Sequence, residues 1–135
     1  MECHRKISIM VAEDDPDDRF LIKNAFETIK SDPDLQFVNN GEELLSRLDQ
    51  IFKNSLLSLP DTIILDLNMP KISGHQVLMD IKNKAELGSI NIVVLSTSSQ
   101  KSDIEFCKNC GVHSFYTKPD SFDRLVEIIK AILAG

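Results

Sequence analysis

Nowhere in the 135 residues does an apolar run reach the about 18 residues of a membrane helix, so no such span is expected. The opening Met1-Glu2-Cys3-His4-Arg5-Lys6 leads straight into a strand-like run instead of the apolar stretch of a signal peptide, which sets the expectation of a cytoplasmic protein. Cysteine is scarce: three residues without an export signal are expected as reduced thiols, not as a disulfide framework. Basic charge is also short, with Lys+Arg at 15 against Asp+Glu at 21. The resulting net charge of −6 argues against nucleic acid as a direct ligand, because phosphate backbones select basic surfaces. Internal repeats and low-complexity tracts are missing too. With 42% hydrophobic residues the chain is not disordered, and at this size it can bury roughly two-thirds of its unfolded surface. One domain over residues 1–135 is expected, with a core over 7–133 and no appended output module.

Short apolar runs alternate with longer amphipathic ones, five times over. The strand candidates are Ile7–Ala12, Leu35–Val38, Thr62–Leu65, Ile92–Leu95 and Val112–Thr117, whose lengths and β-branched content suit strands covered on both faces. Between them, Ile22, Ala25, Phe26 and Ile29 recur at helical spacing, as do Leu44, Leu48, Ile51 and Phe52, and Gly74, Val77, Leu78 and Ile81. A shorter helix around Ser102–Asn109 is expected to stop near Gly111, and a last one carries Phe122, Leu125, Val126, Ile129, Ile132 and Leu133 on one face. Five βα units in succession predict an α/β fold, a parallel sheet with helices on both faces and right-handed crossovers. The leucine-rich segment 53–60 reads as a helix tail tucked under the core, with a partner-binding surface as the alternative.

In such a sheet the loops after strands one, three, four and five open on one edge. Glu13 and Asp14, Asp66, Ser96 and Lys118 each follow an apolar run and so meet there. Asp15 turns away as the helix begins, and Pro16, Asp17 and Asp18 read as its first turn. Crowded carboxylates need a cation, and hard oxygen ligands without a nearby His or Cys favour Mg2+. Cation, ammonium and hydroxyl together hold a phosphoryl group, which makes Asp66 the natural nucleophile for an acyl phosphate.

At these residues the sequence resembles the response-regulator receiver family of two-component signalling, in its stand-alone, chemotaxis-regulator-like form. The resemblance rests on Val11-Ala12-Glu13-Asp14-Asp15-Pro16, Ile64-Leu65-Asp66-Leu67-Asn68-Met69-Pro70, Val93-Val94-Leu95-Ser96 and Tyr116-Thr117-Lys118-Pro119, and runs from Ile7 to Leu133. It implies a flavodoxin-like sheet of order 2-1-3-4-5 and a phosphorelay switch. Asp66 would accept a phosphoryl group from a sensor histidine kinase or histidine phosphotransfer protein. Asp14 and Asp66 would bind Mg2+ directly, with the Asn68 carbonyl, and Glu13 through water. Lys118 would pair with the phosphoryl oxygens, Ser96 and Phe115 would act as switch residues, and Lys118–Pro119 would be cis.

The resemblance further implies a signalling surface on helix four, strand five and helix five, an unknown downstream protein target, and a homodimer through the fourth and fifth units as an option. It makes the chain a phosphoacceptor that assists its own phosphorylation and dephosphorylation, not a conventional enzyme. Asn68 and Ser98 would tune the phosphoryl lifetime. Serine at 96 and phenylalanine at 115 stand where threonine and tyrosine are commoner, which leaves the output geometry open.

Other readings are weaker. An aspartyl-phosphate phosphatase would need a second acid where Asn68 stands, and the intact site argues against a scaffold that is never phosphorylated. An EF-hand loop from Asp14 fails at Arg19 and Ala25. Cys107-Lys108-Asn109-Cys110 falls at a helix end that disfavours thiolate, and His4, His75 and His113 share no ligand pattern.

Overall fold

A computed structural model describes residues 6–54, 59–84 and 87–135. Its elements alternate as β1 (Ser8–Ala12), α1 (Pro16–Thr28), β2 (Asp34–Val38), α2 (Gly41–Lys53), β3 (Thr62–Leu65), α3 (Gly74–Lys82), β4 (Asn91–Ser96), α4 (Lys101–Asn109), β5 (Ser114–Thr117) and α5 (Phe122–Ala134). All four strand pairings are parallel, and the sheet order is β2-β1-β3-β4-β5, the predicted flavodoxin-like arrangement.

The interiors of the central strands are apolar because both faces are covered, yet successive side chains still go to opposite layers. Met10, Ala12, Ile63, Leu65, Ile92 and Val94 join Leu44 and Leu48 of α2, Val77, Leu78 and Ile81 of α3 and Cys107 of α4. Ile9, Val11, Ile64, Val93 and Leu95 join Ile22, Ala25 and Phe26 of α1 and Leu125, Ile128 and Ile129 of α5. Truncating one such fully buried leucine or isoleucine to alanine costs about 2–5 kcal/mol.

Local chemistry sets the element ends. Asn40, Ser73 and Ser121 cap α2, α3 and α5, each accepting a backbone N–H from three residues on. At the end of α4, Gly111 takes φ 80°, while Gly111 N–H donates to Lys108 and Val112 N–H to Cys107. That double bond is a Schellman stop, so Val112 is used in the turn and β5 starts at Ser114, two residues later than expected. The Lys118–Pro119 expectation also fails. No peptide bond among the described residues is cis, and trans is the isomer an X–Pro bond prefers by about 0.5–1 kcal/mol. In the 53–60 segment α2 ends at Lys53, Leu59 packs on the core and Pro60 is buried. Leu56 and Leu57 lie outside the described residues.

Candidate functional site

The site is built where the ladder runs one residue past the strands. Glu13 N–H donates to the Val38 carbonyl at 3.1 Å, Asp66 N–H to Ala12 at 3.2 Å, and Lys118 N–H to Ser96 at 2.7 Å. These bonds pin the first residue after β1, β3 and β5 to the end of the neighbouring strand, so their side chains converge on the carboxyl edge of the sheet. Gly74 holds the loop after β3 from behind. Its N–H donates to Leu67 at 3.0 Å, and a Cβ there would stand 2.6 Å from the Leu67 Cα and 2.7 Å from the Asp66 carbonyl oxygen.

Carboxylate oxygens of Glu13, Asp14 and Asp66 lie within 4.8 Å of one another, with Glu13 and Asp66 buried and Asp14 exposed. Asp15 indeed turns away and caps α1, accepting Asp17 N–H at 2.8 Å. Glu13 and Asp14 are thus the acids of this run that lie beside Asp66, while Asp15 belongs to the helix. Three hard oxygen donors with one open side suit an oxygen-loving divalent ion such as Mg2+. Asn68 N–H donates to Asp66 Oδ1 at 3.1 Å, and its exposed side-chain amide reaches Thr97 at 3.1 Å.

The Lys118 ammonium touches three carboxylates at once: Glu13 at 2.8 Å, Asp18 at 2.7 Å and Asp66 at 3.1 Å. Burial alone would pull this ammonium down. The hydrogen bonds to Asp18 and Glu13 and the charge of Asp66 outweigh it and raise it above its ordinary value. Glu13 is pushed up to about 7, first by burial and further by Asp66, although Lys118 opposes the rise. Lys118 thus stays charged. Asp18 was not foreseen. Its place in the first turn of α1 explains its helix-dipole value but hides its contact with Lys118 across the fold.

Ser96 is fully buried at the end of β4, its hydroxyl accepting Ser98 N–H at 3.3 Å. Phe115 points to the α2/α3/α4 layer and the next residue, Tyr116, to the α1/α5 layer. A further chain of contacts starts here. The Ser98 hydroxyl donates to Asp103 of α4, whose other oxygen meets His75 of α3 at 2.9 Å, with the His75 ring tilted against Phe106 at 5.1 Å. His75, unassigned from the sequence, therefore ties α3 to α4. Cys107 and Cys110 are free, and burial pushes the Cys107 thiol up to about 11, far from reactive thiolate.

The response regulator receiver domain family matches residues 9–130. The probable methanogenesis regulatory protein FilR2 of Methanothrix harundinacea is 33% identical, over all of this chain and 88% of that protein. Among solved structures, the phosphorylated cyanobacterial phytochrome response regulator RcpA superposes with a TM-score of 0.85 at 35% identity, covering 95% of this chain and 91% of that one. The Mn2+-bound response regulator Rcp1 gives a TM-score of 0.80 at 28% identity, covering 93% and 91%. The chain belongs to the response regulator receiver domain family, whose work is phosphorylation-dependent signalling.

Proposed function

We propose that Asp66 is the phosphoacceptor and that a histidine kinase or histidine phosphotransfer protein is its donor. The observation that carries this is a buried carboxylate in contact with a charged lysine, beside two further acids within 4.8 Å. An Asp66 carboxylate oxygen attacks the donor phosphorus, the bond from phosphorus to the donor breaks, and the leaving nitrogen or oxygen keeps its electron pair. Lys118, already 3.1 Å from Asp66, meets the charge that grows on the phosphoryl oxygens. Glu13 and Asp14, with Asp66 and the Asn68 backbone, would hold Mg2+, which supplies charge neutralisation for the incoming phosphoryl group. The protein is then a substrate that assists its own modification and is not a conventional enzyme.

Phosphorylation is read at Ser96 and Phe115, and the output surface is α4–β5–α5. Ser96 is a buried hydroxyl at the end of β4, paired in register with Thr117, and Phe115, two residues earlier on β5, lies in the layer that carries α4. Beryllofluoride with Mg2+ tests this reading by amide NMR. Shifts at Asp66, Ser96, Phe115 and α4 that require both reagents are expected. Shifts confined to the acidic loops would remove the proposed output path, and none at all would favour an unphosphorylated scaffold.

A further inference from the structure

We infer that Asp18 is a positioning residue for the phosphoryl step, acting through Lys118 from outside the metal-binding acids. The inference rests on Asp66 being the phosphoacceptor. An ammonium has three N–H donors, and that of Lys118 donates to Asp18 and Asp66 and lies 2.8 Å from a third carboxylate, Glu13. Glu13 and Asp66 also belong to the cluster of oxygens that suits a divalent ion; Asp18 does not. If Glu13 helped to hold a cation, Lys118 would lose one of its acceptors and keep Asp18. Asp18 makes the shortest of the three contacts, and it stands outside the oxygen cluster that suits a divalent ion. Its side chain is 31% exposed against 3% for Glu13 and 5% for Asp66, and it lines a cavity of about 210 Å³ shared with Lys118, Leu21 and Phe122.

Asp18 is thus the leg on which Lys118 stands while its other two N–H groups turn to the phosphoryl oxygens. Without it a flexible four-carbon stem swings toward solvent, and the ammonium must be ordered anew at each phosphoryl binding.

The test is a split between two affinities. In Asp18→Ala, beryllofluoride affinity in saturating Mg2+ is expected to fall about tenfold, the size of one charge-assisted hydrogen bond, while affinity for Mg2+ alone stays within about twofold. Asp18→Asn, which keeps an oxygen acceptor but not the charge, should fall between. Asp17→Ala is the control, since Asp17 shares the first turn and its dipole but has no contact with Lys118 among the interactions described. Thermal unfolding of each variant separates a folding defect from a local one.

Unchanged beryllofluoride affinity in Asp18→Ala would overturn the inference, as would an equal loss in Asp17→Ala or a parallel loss of Mg2+ affinity. If the wild-type protein binds no beryllofluoride, the phosphoacceptor reading itself has failed, which is a different result from a wild type that binds and an Asp18 variant that binds equally well.

Discussion

Lys118 lies among four acids, Glu13, Asp14, Asp18 and Asp66, and three of them touch it. Replacing it leaves buried like charges without their counter-ion, a cost that a divalent ion can offset. Lys118→Ala is therefore expected to unfold at lower temperature than wild type in chelator and to gain more from Mg2+. An equal Mg2+ shift in both proteins would mean that Lys118 does not shape the charge of the site. Glu13, Asp14, Asp66 and Lys118 were legible in the sequence because each follows an apolar run, and Pro16 marks where the helix takes over from the site. Asp18 was not legible. It has the local signature of a helix-start acid, and its partner lies 100 residues further along the chain. The same holds for His75 and Asp103, which are 28 residues apart and meet only once α3 and α4 lie side by side.

Elements carry the site only as well as they pack against it. Gly74 begins α3 with no room for a methyl group against Leu67 and the Asp66 carbonyl. Gly74→Ala should cost about 1–3 kcal/mol, as overpacking does, and slow phosphorylation by moving the Asp66 loop. Denaturant unfolding beside a phosphorylation time course checks both, and a stable variant phosphorylated at the normal rate would show that the loop yields freely.

Between α3 and α4, Asp103 is held below the usual carboxylate range, first by the Ser98 hydroxyl and then by His75. A folded value lowered in this way stabilises above the unfolded carboxylate value of about 3.9, and that contribution fades as the pH falls through the folded value. The stability gap between wild type and Asp103→Asn should thus be present at neutral pH and shrink in acid, measured by urea unfolding at both. A gap independent of pH would assign the effect to shape and not to charge. The stop of α4 at Gly111 was legible as a glycine signal, while the late start of β5 was not. Val112 and His113 look like strand residues, but the Schellman turn claims the Val112 N–H first.

For the whole molecule, the alternation of five apolar and five amphipathic runs was enough to give a doubly covered parallel sheet, since helices on both faces permit strands whose interior residues are apolar in succession. That same uniformity hid which strand residue faces which layer, because no polar side marks an outward direction on β1, β3 or β4. Sheet order came through the resemblance and not through periodicity. The fold places a lysine, a buried hydroxyl and three metal-suited acids on one edge, and all of that serves a single chemical claim about Asp66. The most direct test is the intact mass of the protein after incubation with Mg2+ and a small acyl-phosphate donor. Wild type is expected to gain one phosphoryl group, to lose the gain when Mg2+ is chelated, and to show none as Asp66→Asn. Either no gain in the wild type or a full gain in the Asp66→Asn variant would contradict the account.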